Sequence, residues 1–301
     1  MGKKLFKQYI KKFGTGNIDA LLGTFKCLER LKRNSDILDS FKELSQIFTL
    51  FYPLHIEKCK IFISCGEYEN AIDYIKDKLI KIPNKHFDVF KILAVCNLLH
   101  EGDFKASILS IDKMWELMQK QEAKNPELYY QTAMLFARIC DRKSEILKQC
   151  ETMIDKALEF APKNSNYLNE KAYYRLLTGD LKNAFDIYST SAQFDVNNKE
   201  ASYGLIFCKI LKQQYNEAQE EIEFLKEIDL GLGNPIQPRL IYFEALVKYK
   251  QGEKEEIINN LITEALNTHV KLTKTKICNK FESLIYTNFD FLYELAKSNY
   301  F

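Results

Sequence analysis

The chain has 301 residues, 46% of them hydrophobic and 28% charged, the proportions of a folded protein rather than a disordered one. Its 43 basic and 41 acidic residues leave a formal charge of +2, so no overall field points to nucleic acid or an anionic membrane, and the balance favours protein partners. The longest apolar stretches, such as Ile47 to Leu54, fall well short of the roughly twenty residues that span a bilayer, so no membrane insertion is expected.

In chain order, Leu5, Phe6, Tyr9, Ile10 and Phe13 form an apolar stripe opposite lysines. The stripe predicts a helix in residues 1–17 that is half of a repeat, although a helix lying on a membrane surface has the same pattern. The start lacks the apolar core and cleavage site of a secretory signal, and Phe6 stands where a myristoylation motif wants Ser or Thr. Residues 18–269 then divide into about seven units, beginning near residues 19, 52, 88, 126, 165, 199 and 238, each predicted as two antiparallel helices. Apolar residues recur at spacings of three and four, as in Tyr129, Ala133, Phe136 and Ala137, which is the helix period.

Four turns share one form: Gly66-Glu67-Tyr68, Gly102-Asp103-Phe104, Gly179-Asp180-Leu181 and Gly252-Glu253-Lys254. Glycine adopts the left-handed conformation that ends the first helix of a pair, and the acidic residue suits the positive end of the next. Soon after come small residues, Ala71, Ser107 and Ala184, joined by Ala218, which let two helices approach closely. Tyr74, Tyr188, Ile222 and Leu225 are expected to fill the groove against the following repeat. Two places break the period: Asp141 to Glu145 lengthens one turn, and Gly231-Leu232-Gly233-Asn234-Pro235 inserts a connector. Residues 270–301 are predicted to continue or cap the array, ending on Tyr300 and Phe301 without a polar cap, so a partner or further repeats would cover the ends.

Pro162 and Val196 stand 34 residues apart, the period of the tetratricopeptide repeat. The predicted fold is therefore all-α, a right-handed superhelical solenoid of tetratricopeptide-like helix-turn-helix repeats.

A search for chemistry returns little. The eight cysteines include no Cys-x-x-Cys, and several fall where the repeat wants a small apolar residue, such as Cys59 and Cys150. His55, His86, His100 and His269 are scattered along the chain without partners at ligand spacing. Glu217, Glu220, Glu221 and Glu223 read as a solvated helix face. No phosphate-binding or nucleophile motif is present, and a single tryptophan, Trp115, argues against a helical-repeat transferase. No catalytic, metal or cofactor-binding residue is expected, and no cofactor. The working surface is then the wall lined by each unit's first helix, with Lys60, Tyr130, Arg138, Asn169, Tyr173, Tyr242 and Tyr249 as partner-facing candidates. Packing between repeats remains open for each of them.

Some stretches are more particular than the repeat: Ala20-Leu21-Leu22-Gly23, Glu101-Gly102-Asp103 with Lys105-Ala106-Ser107, Asn125-Pro126-Glu127-Leu128-Tyr129-Tyr130, Ala137-Arg138-Ile139-Cys140 with its lengthened turn, Glu223 to Ile228 and Glu256 to Leu261. Over Asn17 to Tyr300 the chain resembles an internal segment of the tetratricopeptide repeat protein 21 family, the large tetratricopeptide-repeat subunit of intraflagellar transport complex A. The resemblance implies a non-catalytic scaffold among transport-complex subunits, in the cytoplasm and cilium (axoneme and basal body), serving retrograde ciliary transport and cargo import. The alternative is a generic tetratricopeptide co-chaperone or adaptor that grips a peptide in its concave groove.

Overall fold

The computed structural model describes residues 51–273 except Glu101 and Val196, together with Leu38 and Phe41; from residue 269 to 273 only the backbone is described. The predicted half repeat, the unit starting near residue 19 and the terminal segment beyond residue 273 lie outside the described residues, as do Cys27, Cys278 and the side chain of His269. The described residues form two compact units that part between Lys124 and Asn125. Neither unit contains a strand among those residues.

The first unit holds two hairpins. Helix α1 (Tyr52–Cys65) turns into α2 (Tyr68–Tyr74), which runs on through one π turn, Ile75–Leu79; α3 (Phe87–His100) turns into α4 (Phe104–Gln121). Proline in the first turn suits α1, because an orphan N–H position loses nothing to the ring. Gly66 sits at φ 79°, and the Glu67 N–H reaches back to the Phe62 carbonyl, satisfying one of the last carbonyls of α1. α3 is apolar nearly all round and is the buried wall of this unit, with Val89, Ile92, Ala94, Val95 and Cys96 fully enclosed. Ser107 takes the small position of α4, buried, with its hydroxyl donating to the Ala94 carbonyl at 3.2 Å. Tyr74 departs from expectation: it packs back on its own hairpin, 6.4 Å from Phe62 and with His55 Nδ1 2.6 Å from its hydroxyl. The π turn that follows buries Ile75 and Leu79 instead and packs on α1 and α3.

The second unit has four hairpins: α5 (Pro126–Ile139) with α6 (Ser144–Phe160), α7 (Ser165–Leu177) with α8 (Leu181–Phe194), α9 (Lys199–Leu211) with α10 (Tyr215–Gly231), and α11 (Pro238–Lys250) with α12 (Glu255–Thr273). Each second helix packs on the next first helix, and first helices pack on one another along the row, so the unit is an all-α solenoid. The expected small positions Ala184 and Ala218 are fully buried, as are Ala133, Ala172 and Ala245 on first helices. Phe207 and Phe243 stack at 5.9 Å in the core between the last two hairpins, around which Ile206, Ile222, Leu240 and Leu246 close. Burying each such side chain contributes roughly 1.5–3 kcal/mol.

Two chemistries start these helices. Asparagine caps the first helices: the side-chain oxygens of Asn125, Asn164 and Asn198 accept from backbone N–H groups of α5, α7 and α9. Aspartate caps second helices, Asp103 for α4 and Asp180 for α8. At these two turns the aspartate after the glycine makes a hydrogen bond as well as meeting the helix dipole, whereas Glu67 makes no side-chain cap on α2. The lengthened turn places Asp141 and Arg142 successively in the left-handed region, and Gln213 does the same, at φ 63°, in the slot that glycine fills elsewhere.

Candidate functional site

In the second unit, α5, α7, α9 and α11 begin at residues 126, 165, 199 and 238, so Tyr130, Asn169, Tyr203 and Tyr242 are the fifth residue of each. Register therefore gives these side chains equivalent places, and the first three of them share one wall. A cavity of about 100 Å³ opens on this wall, lined from all four first helices and by Tyr188 of the second helix α8. Four of the seven sequence candidates meet there: Tyr130, Arg138, Asn169 and Tyr173.

Most of the charge on the wall is already spent across repeats. Arg138 of α5 donates two hydrogen bonds to Glu170 of α7, at 2.5 and 2.9 Å, and its guanidinium lies 4.6 Å from the centre of the Tyr173 ring. Arg239 of α11 donates to Glu200 of α9 at 2.5 Å and lies over Tyr203 at 5.1 Å. The Tyr167 hydroxyl donates to Glu127 at 3.1 Å, and the Tyr130 and Tyr167 rings meet at 5.0 Å. Asn169 Nδ2 donates to Asn198 Oδ1 at 3.0 Å. These contacts staple consecutive hairpins, and the Arg138 and Glu170 side chains are only 14% and 7% exposed. Burial alone would ease the proton off Arg138, but the Glu170 carboxylate outweighs it and holds the guanidinium charged well above its ordinary range. Burial, and then the charge of Glu170, likewise pushes the Tyr130 hydroxyl up.

The remaining candidates fall elsewhere. Lys60 is on α1 of the first unit, bound to Glu57 at 2.8 Å. Tyr242 does not line the cavity: it is 6% exposed and packs in the core cluster that also holds Tyr203, where α11 meets α9 and α10. Tyr249, in the last turn of α11, is 42% exposed and has Lys250 Nζ 5.7 Å from its ring centre.

The sequence reading missed Glu170, Glu200, Arg239, Tyr203 and Gly204, all of which line the cavity. Gly204 alone had a readable signal, an isolated glycine inside a helical pattern. A Cβ there would stand 2.4 Å from the Tyr188 ring, so the missing side chain lets a second-helix tyrosine reach the floor of a first-helix wall.

Among the described residues no group of three or more His, Cys, Asp or Glu could hold a metal ion, and no helix is long and apolar enough to cross a membrane. Cys59, Cys96, Cys140, Cys150 and Cys208 are buried and Cys65 is exposed. Burial pushes the Cys96 and Cys208 thiols up to about 12, the behaviour of packing residues rather than nucleophiles.

Comparison with known proteins agrees with this architecture. The chain is 26% identical to human tetratricopeptide repeat protein 21B over 268 residues, covering 89% of this chain and 20% of that protein. It is 24% identical to mouse tetratricopeptide repeat protein 21A, covering 85% and 19%. The chain thus spans about a fifth of the length of these curated relatives. Among solved structures, a tetratricopeptide repeat protein from Parabacteroides merdae superposes with a TM-score of 0.55 at 14% identity, over 82% of this chain and 98% of that one. The assembly chaperone of RpL4 does so with a TM-score of 0.51 at 15% identity, over 80% and 98%. The family described as tetratricopeptide repeat protein 21 second ARM domain matches residues 110–301. With that match running over well more than half of its length, the chain belongs to the tetratricopeptide repeat protein 21 family.

Proposed function

We propose that the chain is a non-catalytic protein-interaction scaffold, working as a segment of the tetratricopeptide-repeat scaffold of intraflagellar transport complex A in the cytoplasm and cilium. The observation that carries this is the wall of the second unit, where four first helices in register present tyrosines, arginines and glutamates around one open cavity. Aromatic rings and arginine combine large contact area with directed polar groups, the chemistry of interaction hot spots. Family membership supplies the candidate partners, the other subunits of the transport complex.

The test is a tagged full chain expressed in ciliated cells. Axonemal and basal-body signal together with co-purified transport-complex subunits is the expected result. A diffuse signal with none of those subunits recovered would defeat the proposal. The co-chaperone alternative predicts capture of a peptide with a terminal carboxylate, which would have to displace Glu170 from Arg138 or Glu200 from Arg239. Titration with an acidic C-terminal peptide is expected to show no saturable binding.

A further inference from the structure

The cavity of the second unit holds polar groups that the staples do not use. Asn169 is 9% exposed, and its Nδ2 donates to Asn198 Oδ1, which also accepts the Ala201 N–H that caps α9. That second bond fixes the Asn198 atom as oxygen, so the atom facing it from Asn169 must be nitrogen. Asn169 Oδ1 is thereby fixed as a buried acceptor without a hydrogen-bond partner. Tyr188 and Tyr203, each 5% exposed, line the same cavity, and neither hydroxyl has a hydrogen-bond partner among the described residues. Gly204 is what admits Tyr188: the tip of its ring occupies the space of the missing Cβ.

The charges around these atoms do not balance towards an anion. Each arginine on the wall is matched by its own glutamate and stacked on a tyrosine, so both arrive neutralised. What is left over is the Asn169 acceptor, the two tyrosine hydroxyls and the second carboxylate oxygen of Glu200, whose side chain is 46% exposed. Burial first, then Cys208, Glu170 and Glu200, hold the Tyr188 hydroxyl protonated well above its usual range, so it stays a neutral oxygen. An acidic side chain would meet the carboxylates of Glu170 and Glu200 and an Asn169 oxygen that cannot donate, with only the tyrosine hydroxyls to donate to it. An ammonium or guanidinium group would supply N–H donors to those oxygens while its apolar stem lies along the tyrosine rings.

The geometry points to a binding site for one basic side chain, lysine or arginine, carried by a partner polypeptide. This rests on the reading of the wall as a partner surface. A dye-labelled glycine–serine peptide with a single central lysine, and its arginine, glutamine and glutamate versions, is titrated against the full chain by fluorescence anisotropy. A basic peptide is expected to bind saturably, with the glutamine and glutamate versions weaker by about tenfold or more. Tyr188→Phe removes one oxygen and no packing volume, and Asn169→Leu removes the orphan acceptor. Each should weaken the basic peptide by about tenfold while Tyr188→Phe keeps the parent melting curve. Binding of the glutamate peptide as tight as that of the basic ones, or no saturable binding of either basic peptide, would overturn the inference. So would loss of nothing on Tyr188→Phe; recovery of transport-complex subunits by that variant at the parental level leaves the scaffold reading standing while removing this one.

Discussion

At the scale of single residues, two positions carry costs that substitution should expose. Gln213 occupies a left-handed turn, which costs a side-chain-bearing residue about 1–2 kcal/mol, and its side chain is exposed. Gln213→Gly removes that strain and returns part of the gain as chain entropy, so a net stabilisation of about 0.5–1 kcal/mol is expected in urea titration. Asp88, in the first turn of α3, is the second case. Burial would raise its carboxyl, but His86, whose Nδ1 lies 3.3 Å from Oδ2, and the ion pair with Lys91 outweigh burial and hold it well below the usual carboxylate range. A depressed carboxyl contributes stability that is present above the unfolded value of about 3.9 and is lost as pH falls through the folded one. Melting temperatures measured from neutral pH downward should therefore fall through that acid range in the parent and fall less steeply in Asp88→Asn.

Elements depend on their ends and on their small faces. Asn198 caps α9 and holds the Asn169 amide at the same time, so Asn198→Ala should cost about 1–2 kcal/mol by chemical denaturation. Asn198→Asp keeps an acceptor at a helix N-terminus and should retain most of that stability. At the crossing of α7 with α8, Ala184 is fully enclosed together with Ala172 and Cys208. Ala184→Leu forces the backbones apart and should cost about 1–3 kcal/mol, read as an earlier unfolding midpoint.

In the molecule as a whole, stability passes from hairpin to hairpin within a unit, and the staples are part of that coupling. Arg138→Met leaves Glu170 buried without its partner and should cost about 3–5 kcal/mol; adding Glu170→Met should recover most of it, because an apolar pair replaces a charged one. Amide exchange adds a spatial readout: the single variant should lose protection first in α5 and α6, with α11 and α12 changed least. Uniform loss across the second unit would show that the pair does not act between neighbouring hairpins.

The amino-acid sequence alone determined the helical period, the corner glycines and the small crossing residues, because each is a local consequence of backbone freedom or side-chain size. Gly66, Gly179 and Gly252 turn as their neighbours require, and Ala184 and Ala218 are buried where close helix approach needs them. The family, too, was legible in irregular stretches such as the lengthened turn after Cys140. The composition of the wall was decided by tertiary structure. Arg138 finds Glu170, and Arg239 finds Glu200, only because helix starts at 126, 165, 199 and 238 set unequal repeat lengths. The same register buries Tyr242 and lets Gly204 bring Tyr188 forward. Which side chain is a staple and which faces the cavity is a property of neighbouring hairpins, and no single repeat contains it.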